Sequence, residues 1–172
     1  MSARAGFPFY IADLRPRLEP ALCHLVQQSA QTGWTSNTLT AVTFGSGSEV
    51  IDTDSIHDEA SNTSRLVIGK RLGWWEVSGV YAAASNSATS IIRAAMYKNG
   101  AVINGSFGGL QLSSTGSFYT VSTPRLLVEA TSDTDHVELY GHQTAGSGTI
   151  GTAINSSMVA STITAAWKRP SL

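Results

Sequence analysis

The chain has 172 residues, and its 11 basic and 12 acidic side chains give a formal net charge of −1. A domain of this size buries about 70% of the surface its unfolded chain exposes, so its core needs no disulfide or metal. The absence of a basic excess argues against nucleic acid or an anionic membrane as partner. The sequence contains no apolar run of about 18 residues, so it predicts no membrane span. The N-terminus lacks the apolar region of a secretory signal, so we expect a soluble product of a cytoplasm.

Hydroxyl side chains replace charges in this composition. Charged residues make up 13% of the chain, about half the usual ~25%, whereas there are 23 Ser and 18 Thr. Such a surface suits a protein that is largely covered by neighbouring molecules, and a β protein with many turns explains part of the same composition. Cys23 is the only cysteine, which excludes an intrachain disulfide and predicts a buried thiol.

The first 20 residues differ from the rest of the chain. They contain three prolines and the aromatic cluster Phe7-Pro8-Phe9-Tyr10. Proline at three positions excludes a long helix, so the pattern favours an extended arm. We therefore predict an N-terminal arm over 1–20 and one domain over 21–172. In this hypothesis Phe7, Phe9 and Tyr10 anchor the arm, either on its own domain or on a partner.

From residue 20 onward the sequence predicts β-strands. Short apolar or alternating runs are separated by clusters of Gly, Ser, Asn and Asp, which is typical of a sandwich or barrel. The predicted strands are 38–44, 65–68, 74–82, 91–97, 117–129, 136–142 and 158–167. The strongest hairpin signal is Asn99-Gly100, because a tight hairpin turn needs residues that tolerate positive φ. The predicted fold class is all-β.

The alternation in the strand 74–82 separates its aromatic residues into two sets. Trp75 and Tyr81 share one side with Val77 and Gly79, which indicates the core, whereas Trp74 points to the other side. That side faces solvent or a neighbouring subunit, and Trp and Tyr are enriched at interfaces. We assign Trp74, Trp75 and Tyr81 to the core or to a subunit interface.

The densest acidic cluster is in the run 51–59. Its members are Asp52, Asp54, His57, Asp58 and Glu59. Calcium prefers several carboxylates and carbonyls, but this run lacks the glycine and the closing glutamate of an EF-hand loop. Asx turns in a long loop explain the same residues, and this interpretation is the favoured one.

No pattern in the chain is specific for catalysis. A metal pair of His136 and His142 on one strand face is the weaker alternative to two surface histidines. Glu129 and Glu138 form the nearest pair of carboxylates in strand context for glycoside hydrolysis. The Gly-x-Ser-x-Gly elbow and the phosphate-binding loop are both missing. We expect no enzyme activity, no metal site and no cofactor.

The stretch from Trp34 to Gly100 resembles the C1q/TNF-like domains of phage structural proteins. The resemblance rests on the order of its motifs rather than on any single one. These are Trp34-Thr35, Ala41-Val42-Thr43-Phe44, the run Asp52-Thr53-Asp54 to His57-Asp58, Asn62-Thr63-Ser64-Arg65-Leu66, Gly79-Val80-Tyr81 and Lys98-Asn99-Gly100.

The resemblance implies a ten-strand jelly roll that forms a homotrimer, in which Trp74, Trp75 and Tyr81 lie in the core or at the trimer interface. It also implies a phage virion protein without catalysis. We expect a capsid decoration protein, assembled in the host cytoplasm and held by its arm to the major capsid protein or another virion protein. The alternative is a receptor-binding module of the tail or baseplate, whose loops 104–116 and 144–156 touch a host surface glycan.

Overall fold

The computed structural model describes residues 20–84, 89–111, 119–145, 150–154 and 159–171. Twelve strands lie in these ranges, and one turn of 3₁₀-helix spans Ile68–Lys70. The strands are β1 (Leu22–Val26), β2 (Thr40–Ala41), β3 (Glu49–Asp52), β4 (Arg65–Leu66), β5 (Gly73–Ala83), β6 (Thr89–Lys98), β7 (Ala101–Val102), β8 (Gly108–Gln111), β9 (Tyr119–Ser122), β10 (Leu126–Ala130), β11 (Val137–Ala145) and β12 (Thr162–Arg169). The arm residues 1–19 lie outside the described ranges.

The strands form two antiparallel sheets, which confirms the all-β prediction. Sheet 1 has the order β10-β5-β12-β1-β3, and β9 also pairs with β5. Sheet 2 has the order β2-β11-β6-β7, with β4 paired to β11 and β8 paired to β6. The inward side chains of both sheets meet in one hydrophobic core.

The core is centred on β5 and β11. Trp75, Val77 and Tyr81 alternate along β5 and are fully buried. The Tyr81 ring stacks on Trp34, with ring centroids 5.6 Å apart. Its hydroxyl lies 2.9 Å from Gln143 Oε1 and 2.8 Å from the Gly151 carbonyl. A buried tyrosine needs such acceptors, and this one ties the two sheets together.

Two predicted strands are much shorter in the structure. The predicted strand 38–44 is reduced to β2, although Val42 and Phe44 are buried as part of the core. The predicted strand 65–68 ends at Leu66, because the chain turns into the 3₁₀-helix at Ile68. There the Gly69 amide donates to the Asp135 carbonyl at 2.8 Å. This hydrogen bond lies outside the pairing of β4 with β11.

The predicted strand 117–129 is divided into β9 and β10, which both pair with β5. Thr123 and Pro124 lie in the gap between them, and proline has no amide hydrogen for the ladder. Thr123 fills part of the gap, because its Oγ1 accepts from the Gly79 amide at 2.9 Å.

The Asn99-Gly100 hairpin prediction is confirmed. Asn99 and Gly100 have φ of 51° and 79° between the paired residues Lys98 and Ala101. The strands β1, β3, β7 and β8 lie outside the predicted strand ranges. The first is held by pairing on both sides, with β12 and β3, rather than by residues of strong β propensity.

Candidate functional site

The outward side of sheet 1 is a surface made of the residues that alternate with its core residues. We call this surface the open face of sheet 1. It consists of Leu22, His24, Val26, Trp74, Glu76, Ser78, Val80, Leu127, Glu129, Thr162, Thr164 and Ala166. These residues alternate with the buried core residues of the same strands, and the strand register places them in neighbouring rows.

Half of the open face of sheet 1 is apolar. Leu127 is 64% exposed, and Val50 on the edge strand β3 is exposed to the same degree. The polar groups are largely paired: His24 Nδ1 lies 2.8 Å from Thr164 Oγ1, and Glu76 Oε1 lies 3.5 Å from Lys168 Nζ. Pairing of these groups lowers the desolvation cost of covering the face.

The structure places the three aromatic residues assigned to core or interface on opposite sides of sheet 1. Trp75 and Tyr81 point into the core and have no exposed surface. Trp74 is half-buried on the open face of sheet 1, and the Arg169 guanidinium carbon lies 5.9 Å from its ring centroid. Only Trp74 of the three is therefore in a position to touch another molecule.

The outward side of sheet 2 is polar by comparison. Glu138 is 5% exposed, and its Oε1 accepts from Ser64 Oγ at 2.6 Å and lies 3.6 Å from Arg65 Nε. Next to it the rings of Tyr97 and Tyr140 stack with centroids 4.0 Å apart. Burial, followed by the charge of Glu138, raises the pKa of Tyr140.

The carboxylates of the acidic run 51–59 are used to hold the loop. Asp52 accepts from the amides of Ile56 and His57 at 3.0 and 2.9 Å. Asp54 pairs with Arg71 at 3.0 Å, and Asp58 accepts from Ala60 and Ser61. These bonds to backbone amides lower the pKa of Asp58. In the described part of the chain, no three His, Cys, Asp or Glu side chains converge as metal ligands.

A cavity with many polar residues in its lining lies between the loop after β3 and the turn before β11, and we call it the end pocket. Its volume is about 340 Å³. It is lined by Ile56, His57, Asp58, Ser61, Asn62, Arg65, Val67, Lys70, Asp133, Thr134 and His136. Three separate segments contribute, namely the loop after β3, the chain from β4 to the 3₁₀-helix, and the turn before β11. Sequence reasoning missed this pocket, although two of its segments carry the motifs 52–58 and 62–66.

The remaining sequence candidates are not brought together. His136 precedes β11, with Nε2 3.8 Å from Glu138, whereas His142 Nε2 lies 3.2 Å from Asn37 Oδ1. Burial, followed by the charge of Arg93, lowers the pKa of His142. Glu129 lies on β10 and Glu138 on β11, and both point outward from different sheets. They cannot flank one glycosidic bond, so this hypothesis is wrong.

Phe7, Phe9 and Tyr10 lie outside the described residues, so their predicted anchoring stays a prediction. Cys23 is fully buried, and burial raises the pKa of its thiol, followed by the charges of Asp52 and Glu49. Across the described ranges, the structure contains no helix with the length and apolar character of a membrane span.

Comparison with known proteins gives structural matches only. No protein-family model matches the chain, and no curated protein sequence matches it. The globular domain of zebrafish complement 1qA protein matches with a TM-score of 0.56 and 11% identity, over 89% of this chain and 100% of that one. The crystal structure of murine APRIL at pH 5.0 matches with a TM-score of 0.58 and 8% identity, over 87% of this chain and 100% of that one.

The chain has a C1q/TNF-like jelly-roll fold. The two matches cover 89% and 87% of the chain. At identities of 11% and 8% the likeness concerns the fold alone. The C1q/TNF-like fold expected from the sequence is therefore confirmed.

Proposed function

We propose that the chain works as a homotrimer and that the open face of sheet 1 lies at the contact between copies. The observation that carries this proposal is the composition of that face, which is half apolar and includes Trp74 and the 64% exposed Leu127. Burial of apolar surface contributes about 25 cal/mol per Å². Trp74 and Leu127 belong to neighbouring strands, because Trp74 pairs with Glu129 and Glu76 with Leu127, so they form one patch.

The contrast between the two sheets supports this choice of face. On sheet 2 the outward side carries Arg65, Arg93, Glu138 and His142, and charges of this density are depleted from interface cores. On sheet 1 the charge of Glu76 is already balanced by Lys168 at 3.5 Å and by Arg125 at 3.8 Å. Association through sheet 1 therefore buries the Glu76 carboxylate together with its cationic partners.

The proposed trimer is a non-catalytic structural protein of a phage particle, a decoration protein on the capsid exterior. The motif order from Trp34 to Gly100 supports the phage assignment, and the low content of charged residues suits a protein embedded among neighbours. The trimer is assembled in the host cytoplasm. Its N-terminal arm binds the major capsid protein or another virion protein through Phe7, Phe9 and Tyr10.

The absence of catalysis is part of the proposal. The pair of carboxylates weighed for glycoside hydrolysis, Glu129 and Glu138, belongs to two different sheets. Each buried acidic group near the loops has a structural partner, as in Glu138 with Ser64 and Asp135 with Asn99.

A binding assay with particles assembled without this chain tests the decoration role. Added full-length protein should sediment with the particles, whereas a variant lacking residues 1–18 should stay in the supernatant. A second variant, with Ala at positions 7, 9 and 10, keeps the arm length and isolates the aromatic side chains. Sedimentation of both variants at the level of the full-length protein would refute the arm as the anchor.

The alternative proposal is a receptor-binding module of the tail or baseplate that recognises a host surface glycan. Phe107 favours it, because this residue is 50% exposed and lines an open cavity of about 380 Å³ with Arg93, Gly108 and Gly109. Particles without the chain separate the two roles. Loss of adsorption to host cells would support the receptor-binding role, whereas normal adsorption with reduced capsid stability would support decoration.

A further inference from the structure

We propose that the end pocket binds a neutral, hydroxyl-rich ligand, namely one saccharide unit of a glycan. The cavity of about 340 Å³ is at the small end of the range for ligand sites, which is about 300–1,000 Å³. It lies between the loop after β3 and the turn before β11. It therefore uses other loops than those around Phe107.

The lining offers donors and acceptors side by side. Arg65 keeps donors besides the Nε that faces Glu138, and Lys70 keeps donors besides the one given to the Ser55 carbonyl. The carboxylates of Asp58 and Asp133 supply acceptors, and Asp58 Oδ2 is not used by the amides of Ala60 and Ser61, which donate to Oδ1. A sugar hydroxyl both donates and accepts, so adjacent hydroxyls on one ring can use both kinds of group. Half-buried Val67 forms part of the same lining and offers apolar contact to the C–H groups of the ring.

The charges of the lining select against the other ligand classes. Besides the two histidines of the lining, two acids, Asp58 and Asp133, balance two bases, Arg65 and Lys70. Phosphate requires an excess of positive charge, which this balanced set does not provide. A divalent cation requires several converging carboxylates, which the described residues do not provide here. A neutral polyol is compatible with the balanced set.

The pocket is held in shape by bonds that do not involve the proposed ligand-binding groups. The Val67 amide donates to the Ile56 carbonyl at 2.7 Å and so joins two of the three segments. Buried His57 has Nδ1 3.1 Å from Glu49 Oε1 and Nε2 3.3 Å from the Thr63 carbonyl. The Asp135 carboxylate accepts from the Thr131 amide at 2.8 Å and fixes the third segment. Preorganisation of this kind lowers the entropy lost on binding.

The end pocket and the open face of sheet 1 share no residue. Association through sheet 1 therefore does not use the groups that would bind the sugar, and the inference does not depend on the trimer. The mass of the protein in solution reports on the trimer, and sugar binding reports on the pocket. Failure of one proposal is thus distinguishable from failure of the other.

Titration of the full-length protein, followed by amide chemical shifts, tests the inference. The probes are D-glucose, D-galactose, D-mannose, L-rhamnose and N-acetyl-D-glucosamine, with sodium phosphate and calcium chloride as competing classes. We expect at least one sugar to shift the amides of 56–62 and 131–136 with a Kd in the millimolar range. Asp133→Ala, which removes an exposed acceptor, should weaken that binding at least about tenfold.

A pair of tryptophan variants provides the matched control. Ser61 is exposed and lines the end pocket, so Ser61→Trp should block sugar binding by filling the cavity. Ser46 is exposed in the turn before β3, outside the pocket, and Ser46→Trp should bind sugar as the wild type does. The inference is overturned if no sugar shifts these amides at about 100 mM, far above a millimolar Kd. It is also overturned if only phosphate or calcium shifts them.

Discussion

The ring of Tyr81 lies directly against the α-carbon of Gly141 across the core. A β-carbon placed on Gly141 would be 2.5 Å from Tyr81 Cε2 and 2.6 Å from Cδ2. The tyrosine cannot move away, because its other face stacks on Trp34 and its hydroxyl is bound to Gln143 and Gly151. The contact between the two sheets therefore depends on glycine at this position.

Substitution Gly141→Ala should lower the free energy of unfolding by about 1–3 kcal/mol, because the added methyl group overpacks the core. Chemical denaturation with and without the substitution measures the difference. Gly109→Ala is the matched control: its β-carbon would have Arg93 Cγ as nearest neighbour at 3.5 Å, an ordinary contact. Equal stability of the two variants would contradict the packing described for Tyr81.

Asp135 should make stability depend on pH in the acid range. Burial alone would raise its pKa, but hydrogen bonds from Asn99, Thr131 and Lys98 hold the pKa well below its usual value. The stabilisation is present above the unfolded pKa of about 3.9 and is lost as pH falls toward the native pKa. The free energy of unfolding should therefore decrease from about pH 5 to pH 2.

Replacement of Asp135 by Asn tests this assignment. We expect a loss of about 1–3 kcal/mol at pH 7, since a buried charged acceptor is removed, and a flatter dependence on pH below 5. Asp133→Asn, at an exposed position two residues away, controls for the general effect of Asp to Asn on stability at pH 7. If the free energy of unfolding of Asp135→Asn depended on pH as that of the wild type does, Asp135 would be ruled out as the source of the pH dependence.

Leu127→Lys tests the open face of sheet 1 as the site of association. Leu127 is 64% exposed in the single chain, so we expect the fold to tolerate lysine, whereas a charge at the contact should weaken association at least about tenfold, or 1.4 kcal/mol. Sedimentation velocity over a range of concentrations measures the effect. Leu110→Lys is the matched control on sheet 2, where Leu110 is 43% exposed, and it should associate normally. If Leu110→Lys weakened association and Leu127→Lys did not, the contact between copies would lie on sheet 2.

Elements with strong local signals were predictable from the sequence. Period-two alternation in β5 separates the buried Trp75 and Tyr81 from Trp74, and Asn99-Gly100 marks its hairpin by residue type alone. The open face of sheet 1 was beyond such reasoning, because its rows join β1, β5, β10 and β12, which are far apart in the chain. Only the pairing register, such as Leu22 with Ala166 and Ala166 with Glu76, brings these side chains together.

The end pocket was unpredictable for a related reason. In the sequence the carboxylates of 51–59 resemble metal ligands. In the structure, however, Asp52 accepts a hydrogen bond within the loop and Asp54 pairs with Arg71. The groups left facing the cavity include Asp133 and His136, which come from the turn before β11. Two walls of the pocket contain segments that the sequence analysis had singled out for other reasons, and the third wall follows from the packing of that turn against Gly69.

The most direct test of the proposed homotrimer is the mass of the purified full-length protein in solution, measured by light scattering over a range of concentrations. The chain weighs 18.1 kDa, so three copies weigh about 54 kDa, and we expect a single species of that mass. A mass of 18.1 kDa at every concentration would contradict the account, because the open face of sheet 1 would then remain uncovered in the isolated protein.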